Sequence, residues 1–237
     1  MSGKRIAQSE KVRAAAQSRQ KAREHASAIQ QRLGRERFVE TFDALYQSAG
    51  NDASLIPWAD LEAHPALSGW LAANGPHRGR ALEVGCGLGD NARALSEAGY
   101  DVTAFDISPH AVQWARRRWK ERPVRFITAN LLDAPAEWRN AFDFVHETYT
   151  LQSLPMEIRA GAFAPLASFL KPGGRMLVIC RARADDAPAS GPPWPLSEAE
   201  LNGLAEAGLI RQSLERFIIE GGTTVPHFLS IWHKPVR

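Results

Sequence analysis

The pattern of apolar and polar residues changes near residue 80. Before it, apolar side chains recur at helical spacing, as in Phe38, Phe42, Leu45 and Tyr46, and Pro65 is placed to open a short helix. After it, short apolar runs alternate with longer stretches of helical character. Repeated alternation of this kind predicts a doubly wound α/β fold, in which a mostly parallel sheet carries helices on both faces.

The predicted elements follow one another with short connections. The predicted strands are 81–84, 101–106, 124–128, 141–147, 175–180, 210–219 and 225–232, and the predicted helices are 91–98, 108–120, 156–170 and 198–206. Because only Glu220-Gly221-Gly222 and a few neighbours join the last two strands, they predict a hairpin. The sheet is therefore expected to end mixed.

Charge divides the chain into an arm and a body. The first 35 residues hold nine of the 29 Lys/Arg and two of the 26 Asp/Glu, which leaves 20 basic and 24 acidic groups in the rest. We expect a basic helical arm over 1–35, a helical lid segment over 36–79 and a mildly acidic domain over 80–237. Since the arm's apolar residues are mostly alanine, a solvated helix is favoured over a nucleic-acid or membrane anchor.

Composition excludes several classes of protein. With 44% hydrophobic and 23% charged residues, a wholly disordered chain is excluded. No apolar run approaches the roughly 20 residues that span a bilayer, and the N-terminus lacks an apolar signal region. The two cysteines, Cys86 and Cys180, offer neither a disulfide framework nor a metal-binding spacing. We therefore expect a cytoplasmic protein without a metal.

The most informative stretch is a glycine-rich turn, Leu82-Glu83-Val84-Gly85-Cys86-Gly87-Leu88-Gly89-Asp90, between the first strand and the first helix of the body. This is the ligand position of a doubly wound sheet. The third glycine of a dinucleotide fingerprint would fall at Asp90. A carboxylate there, without a paired cation, argues against a pyrophosphate. A loop flanked by Glu83 and Asp90 suits a positively charged ligand.

A second candidate lies at the end of the next strand. Asp106 closes the predicted strand 101–106, 17 residues after Gly89. An acidic group at this point can accept hydrogen bonds from a ribose diol. Asp106 and the adjacent Ile107 are therefore candidates for nucleoside binding, although a helix cap beside Ser108 is the alternative for Asp106.

These residues together resemble a known family. The glycine turn, Asp106, Ala129-Asn130-Leu131, Phe142-Asp143-Phe144-Val145 and Leu170-Lys171-Pro172-Gly173-Gly174 are similar to class I S-adenosylmethionine-dependent methyltransferases, over about residues 80–235. The resemblance implies a Rossmann-like sheet of seven strands with an antiparallel last strand, and S-adenosylmethionine as cofactor. It further implies that Gly85 and Gly87 lie under the methionine part, that Asp106 holds the ribose, and that Asn130 and Leu131 flank adenine. Glu83, Cys86, Gly89 and Asp90 complete the expected cofactor loop.

A narrower resemblance concerns the lid segment. Ile56-Pro57-Trp58, Tyr149-Thr150-Leu151-Gln152-Ser153-Leu154-Pro155 and the Pro-rich stretch 191–197 are similar to the thiopurine and thiol/halide methyltransferase group. The resemblance implies that Trp58 helps to cover the cofactor. That group's thiopurine enzymes have an Asp-Arg pair where this chain has Glu147-Thr148, which argues against an anionic acceptor.

The candidate catalytic residues follow the fourth strand. Methyl transfer from a sulfonium needs mainly a positioned acceptor and the exclusion of water, and a general base only when the acceptor arrives protonated. Glu147 and Tyr149 are the candidates for these roles, and Glu147 is also a candidate cofactor ligand. His146, on the opposite face of the strand, is expected to be a satisfied structural histidine. Arg159 is expected at the surface, and Arg181 is either a surface or an acceptor-facing group.

The sequence thus predicts a methyltransferase acting on a small molecule, with the acceptor atom open. Nucleic acid is not the expected partner. Three alternatives remain at this point: an RNA or protein methyltransferase that uses the basic arm, a cofactor-binding module without catalysis, and an alkyl transferase that uses a decarboxylated cofactor. The oligomeric state is not predicted.

Overall fold

The structure is a computed structural model that describes residue 17 and residues 20–34, 37–219 and 224–236. The strands are β1 Arg80–Val84, β2 Asp101–Asp106, β3 Val124–Thr128, β4 Phe142–Thr148, β5 Leu170–Arg181, β6 Ile210–Ile218 and β7 Pro226–His233. The helices are α1 (20–33), α2 Phe38–Ala49, α3 Pro65–Asn74, α4 Asp90–Glu97, α5 Pro109–Arg118, α6 Thr150–Ser153, α7 Met156–Arg159, α8 Phe163–Phe169, α9 Glu198–Leu201 and α10 Gly203–Glu206.

The strands form one seven-stranded sheet in the order β3-β2-β1-β4-β5-β7-β6. β1 to β5 run parallel, and β7 is antiparallel to both β5 and β6. This confirms the doubly wound, mostly parallel, Rossmann-like fold and its mixed end. The carboxyl ends of β1, β2, β4 and β5 therefore meet at one edge, which we call the carboxyl edge.

Two buried clusters hold the helices on the sheet. One face carries Leu82, Val84, Phe142, Val178 and their neighbours, and the other carries Ala81, Phe144, Leu177 and Ile179. Successive strand residues point to opposite faces, so each strand contributes to both clusters.

The N-terminal helices pack on the body. A third buried cluster joins α1 and α2 to the glycine turn and α5 through Ile29, Leu45, Leu88 and Trp114. The expectation of a solvated arm is wrong for the described part of α1, because Ala22 and Ile29 are only 1% and 5% exposed. The rest of the predicted arm lies outside the described residues.

The predicted helix 156–170 is broken in the structure. It consists of α7, a 3-10 turn at Ala160–Ala162 and α8, and the chain is already in β5 at Leu170. Pro165 explains the break, since its ring excludes a helical bond to the carbonyl of Gly161. Pro172-Gly173-Gly174 belongs to β5 and pairs with the end of the chain: Gly173 N donates to Lys234 O, and Lys234 N donates to Gly174 O.

Candidate functional site

The glycine turn between β1 and α4 needs its glycines. Gly85, Gly87 and Gly89 have φ angles of +63°, +49° and +84°, a region that side chains disfavour. Cys86 N donates to Phe105 O at 2.8 Å, which ties the turn to β2. The turn thus exposes backbone rather than side chains at the carboxyl edge.

Two side chains approach the turn closely. A Cβ on Gly85 would collide with Thr150 Oγ1, whose hydroxyl donates to Val84 O at 3.0 Å. A Cβ on Gly87 would lie 2.9 Å from the hydroxyl oxygen of Tyr46 on α2. Thr150 and Tyr46 therefore leave no room for a side chain at Gly85 or Gly87, and the turn remains a cradle of backbone groups.

Asp106 connects the turn to the end of β2. Gly87 N donates to Asp106 Oδ2 and Ser108 N donates to Asp106 Oδ1, both at 2.9 Å. Burial raises the pKa of this carboxyl, against the lowering effect of these N–H groups, and Asp43 raises it further. Ile107, between Asp106 and Ser108, is partly buried. The structure thus brings the predicted ribose-binding group directly against the glycine turn.

Asp90 has the paired cation that the sequence analysis did not foresee. Its carboxylate accepts two hydrogen bonds from Arg118 on α5, at 2.7 and 2.9 Å. The charge argument against a pyrophosphate is therefore wrong in that part, because Arg118 compensates the carboxylate. Arg118 and Trp119 also donate to Leu88 O. These contacts direct Asp90 toward α5.

The segment after β3 reaches the same edge. Ala129 N donates to Asp106 O at 3.0 Å. Leu131 is 7% exposed and packs in the core, while Asn130 Oδ1 accepts from Leu132 N at 3.0 Å. Asn130 and Leu131, the residues predicted to flank adenine, thus directly follow a residue that is hydrogen-bonded to Asp106. The Asn130 side chain stabilises the turn in which it lies.

Trp58 reaches the glycine turn through Tyr46. Its Nε1 donates to the Tyr46 hydroxyl at 2.8 Å, and its ring packs edge-on against Phe42 and Tyr46. Trp58 itself is 41% exposed. Burial, with Asp106 nearby, raises the pKa of Tyr46 well above its ordinary value. Trp58 and Tyr46 thus form a cover over Gly87.

Glu83 lies below the turn and is hydrogen-bonded to His146. Its Oε2 lies 2.5 Å from His146 Nδ1, and His146 Nε2 lies 2.9 Å from the Thr148 hydroxyl. Since a carboxylate accepts, His146 donates from Nδ1 and accepts from Thr148 at Nε2. His146 is fully buried. Cys86 is also buried, and burial, together with Asp106 and Glu83, raises the pKa of its thiol.

Glu147 caps α6 from the other face of β4. Its Oε2 accepts from Thr150 N at 2.9 Å and from Leu151 N at 3.1 Å, while Oε1 is buried without a partner among the described residues. Burial raises the pKa of this carboxyl to about 8. Glu147 is therefore a buried, protonatable cap beside the turn.

Tyr149, the other candidate, joins two histidines. Its hydroxyl lies 3.0 Å from His64 Nε2 and 3.0 Å from His227 Nε2. Burial raises the pKa of Tyr149 to about 12 and lowers that of His64 to about 4. Tyr149 has φ +68°, a left-handed conformation that aims it away from the strand direction.

The expectation that Arg159 lies at the surface is wrong. It is 1% exposed, not a surface group. It donates to Glu200 Oε1 at 2.8 Å and to Trp194 O at 2.9 Å. It thus fastens the Pro-rich loop to the body.

Sequence reasoning missed Tyr46, His64, Arg118 and His227. Tyr46 was visible only as one member of an apolar helical repeat. The other three lie at element ends, where a polar side chain has many possible partners. Within the described ranges, no cluster of three His, Cys, Asp or Glu side chains could hold a metal ion, and no helix is long and apolar enough to cross a membrane.

The sheet order and the position of the glycine turn define an α/β protein of the doubly wound class. Residues 81–174 match the family model described as a methyltransferase domain. These residues are therefore similar to a methyltransferase domain, which supports the resemblance to class I S-adenosylmethionine-dependent methyltransferases that the sequence shows.

The chain is similar to curated methyltransferases and to a solved structure. It is 26% identical, over 70% of its length and 74% of the relative, to a 2-heptyl-1-hydroxyquinolin-4(1H)-one methyltransferase of Mycobacteroides abscessus. It is 26% identical, over 78% of each chain, to a cypemycin N-terminal methyltransferase of a Streptomyces species. The structure of the Burkholderia thailandensis 1,6-didemethyltoxoflavin-N1-methyltransferase, with 1,6-didemethyltoxoflavin and S-adenosylhomocysteine bound, superposes with a TM-score of 0.66 and 21% identity, over 84% of this chain and 87% of that one.

The narrower resemblance has partial support. The chain is 26% identical, over 50% of its length and 40% of the relative, to a probable S-adenosyl-L-methionine-dependent methyltransferase TehB of Haemophilus influenzae.

Proposed function

We propose that this protein is an S-adenosylmethionine-dependent methyltransferase that acts on a small molecule and holds the cofactor between the glycine turn and Asp106. The observation that carries the site is the hydrogen bond from Gly87 N to Asp106 Oδ2, because it joins the backbone cradle to the ribose-binding carboxylate. The turn fits the cofactor, since Gly85, Gly87 and Gly89 adopt positive φ angles and glycine allows a ligand to approach the backbone closely.

The other cofactor contacts are proposed from position. Ile107, Asn130 and Leu131 would flank adenine, because their segments leave β2 and β3 beside Asp106. Trp58 would close the site from above, through its hydrogen bond to Tyr46.

The remaining loop residues support this site from below and behind. Glu83 lies under the turn and Cys86 is a buried member of it. Gly89 directly precedes α4, and Asp90 holds the turn against α5 through Arg118. Glu83 adds negative charge beside a sulfonium.

Methyl transfer requires mainly that the protein positions the acceptor against the cofactor. When bound, S-adenosylmethionine supplies an activated methyl group for in-line displacement. Tyr149 would orient the acceptor, and Glu147 would hold or release a proton at its buried Oε1. The covering residues Tyr46 and Trp58 would exclude water from the reacting groups.

Several features favour a small acceptor. α2 and the segment that contains Trp58 and His64 cover the carboxyl edge, since Tyr46 lies over Gly87 and His64 over Tyr149. Residues 36–237 carry 20 basic and 24 acidic groups, a balance that does not attract RNA. The name of one relative gives a hydroxyquinolinone as its acceptor. The free cysteines Cys86 and Cys180 favour a cytoplasmic location.

The cofactor site is tested by calorimetric titration of S-adenosylhomocysteine. We expect the wild type to bind and Asp106→Ala to bind at least about tenfold more weakly, because hydrogen bonds to a charged acceptor contribute about 1.5–3 kcal/mol each. Asp106→Asn, which keeps an acceptor for one N–H, separates binding from folding. Asp101→Asn, at the exposed start of the same strand, is the matched control. Undiminished binding by both Asp106 variants would contradict the site.

The acceptor class is tested with radiolabelled cofactor. Small-molecule extracts, a peptide library and total RNA are compared for label transfer. Transfer to small molecules supports the proposal. Transfer to RNA alone, with binding that weakens steeply as salt rises, would replace it with the alternative of an RNA enzyme.

A further inference from the structure

One carboxylate fastens helix α2 to the start of α5. Asp43 lies on α2, three residues before Tyr46, and its Oδ1 accepts from Ser108 Oγ at 2.7 Å. The backbone N–H of His110 donates to the same oxygen at 3.3 Å. Since a carboxylate accepts, the His110 ring donates from Nδ1, which lies 2.9 Å from Oδ1 and 3.0 Å from Oδ2. Asp43 therefore ties α2 to the first turn of α5.

Ser108 connects Asp43 to the proposed ribose-binding carboxylate. Ser108 is fully buried and caps α5, because its Oγ accepts from Ala111 N at 3.0 Å. Its hydroxyl proton is directed at Asp43, while its backbone N–H donates to Asp106 Oδ1 at 2.9 Å. Since one residue makes both bonds, a shift of Ser108 would move a hydrogen-bond donor of Asp106.

The contacts return to α2 at the glycine turn. Asp106 Oδ2 accepts from Gly87 N at 2.9 Å, and a Cβ on Gly87 would lie 2.9 Å from the hydroxyl oxygen of Tyr46. A closed circuit that begins and ends on α2, which we call the closure ring, therefore consists of Asp43, Ser108, Asp106, Gly87 and Tyr46. A displacement of α2 would disturb this ring at both ends.

Attraction between charges does not explain why Asp43 lies here. Burial raises the pKa of Asp106, and the negative charge of Asp43 raises it further. Burial also acts to raise the pKa of Asp43, but hydrogen bonds from Ser108 and His110 lower it on balance, so Asp43 remains ionised. Two neighbouring carboxylates are unfavourable unless hydrogen-bond donors compensate them. Ser108 donates to both, so Asp43 is placed to hold Ser108 and not to promote the ionisation of Asp106.

We propose that Asp43 is a positioning residue of the cofactor site: by holding Ser108 it fixes the Asp106 carboxylate for the ribose, and it couples the docking of α2 to cofactor binding. A carboxylate has about four acceptor positions, so Asp106 keeps capacity for ribose hydroxyls beyond the backbone N–H groups that it binds. The coupling is reciprocal: a change that loosens α2 weakens cofactor binding, and bound cofactor holds α2 in place. This inference rests on the proposed cofactor site between the glycine turn and Asp106.

The test is calorimetric titration of S-adenosylhomocysteine into the full-length protein. We expect Asp43→Ala to bind about five- to tenfold more weakly than the wild type, because Asp106 loses its fixed orientation. Asp43→Asn should bind within about twofold of the wild type, since it keeps Oδ1 and its amide nitrogen can donate to His110 once the imidazole proton moves to Nε2. Glu40→Ala, which removes an exposed carboxylate from the preceding turn of α2, is the matched control and should bind like the wild type.

A double variant separates positioning from a merely structural role. If Asp43 acts through Asp106, Asp43→Ala should cost no further affinity in the Asp106→Ala background, to within about twofold. If Asp43 only supports the fold, the two losses should multiply, and that result would overturn the inference.

Amide hydrogen exchange on the wild type gives a measurement that needs no variant. Saturation with S-adenosylhomocysteine should slow exchange in α2 and at Ala111 N more than in α8, which has no part in the closure ring. Should Asp43→Ala fail to fold, this measurement decides.

Three further outcomes would overturn the inference. They are wild-type affinity in Asp43→Ala, an equal loss of affinity in Asp43→Asn and Asp43→Ala, and exchange in α2 that responds to the ligand no more than exchange in α8. Each of them leaves the proposed cofactor site standing, provided that the wild type binds S-adenosylhomocysteine and Asp106→Ala binds it more weakly. Failure of the wild type to bind would instead contradict the cofactor site itself.

Discussion

Replacing Glu147 by Gln probes a carboxyl group that is completely buried. Oε2 accepts from two backbone N–H groups at the start of α6, and Oε1 is without a partner among the described residues. Burial is the largest cause of its raised pKa, and Glu83 adds to it, while the two N–H groups and Arg159 oppose it. Glutamine keeps the accepting oxygen but cannot ionise, so the substitution isolates the charge.

The sign of the pH effect follows from the shift. The pKa of Glu147 rises from 4.5 to about 8 on folding, so the folded state holds a proton that the unfolded state releases between those values. The stability contributed by this group is therefore complete below pH 4.5 and is lost as pH rises through 8. At about 1.4 kcal/mol per pKa unit, the loss is on the order of 4–5 kcal/mol. That is a large share of the roughly 5–15 kcal/mol that stabilises an ordinary domain.

The measurement is urea denaturation of wild type and Glu147→Gln from about pH 4.5 to pH 9, the range across which the group titrates. Other titrating groups cancel in the difference between the two proteins. We expect the wild type to lose stability relative to the variant as pH rises. Glu157→Gln, on the exposed side of α7, reports the effect of the same substitution at the surface. A difference for Glu147→Gln that stays constant across this range would refute the reasoning, because the carboxyl would then ionise equally in both states.

Two further substitutions test the glycine turn. Gly85→Ala should lower the free energy of unfolding by about 2–3 kcal/mol, because it combines a positive φ with a collision against Thr150. Gly208→Ala, at φ +94° with open space around it, measures the cost of the positive φ alone. Equal losses of stability for the two variants in urea denaturation would exclude the collision. Asp90→Asn should cost about 1–3 kcal/mol of stability, because it removes the negative charge that pairs with Arg118. If Asp90→Asn instead left stability unchanged and weakened S-adenosylhomocysteine binding, Asp90 would be a cofactor ligand.

The parts of the fold that the sequence predicted are those set by local pattern. β3 spans Val124–Thr128 and β2 spans Asp101–Asp106, the bounds expected from their apolar runs. The position of the glycine turn follows from the same alternation. Local rules suffice here because a buried strand and a tight turn each constrain neighbouring residues.

Polar residues at element ends were harder to interpret. The sequence presented Asp90 as an unpaired carboxylate and Arg159 as a surface group. Arg118, which pairs with Asp90, is 28 residues away, and Glu200, which pairs with Arg159, is 41 residues away. No periodicity encodes such pairs, since they depend on which elements the fold brings together.

The contacts of the Tyr149 hydroxyl show how far topology alone can bring distant residues together. His64 and His227 lie 85 and 78 residues from Tyr149, yet both contact its hydroxyl. His227 reaches the carboxyl edge only because β7 runs antiparallel to β5, which places the start of β7 opposite Arg181 at the end of β5. A parallel seventh strand would carry the same histidine to the opposite edge, away from Arg181. The hairpin predicted from residues 210–232 is therefore what brings His227 to the Tyr149 hydroxyl, although neither strand carries any sequence motif for this contact.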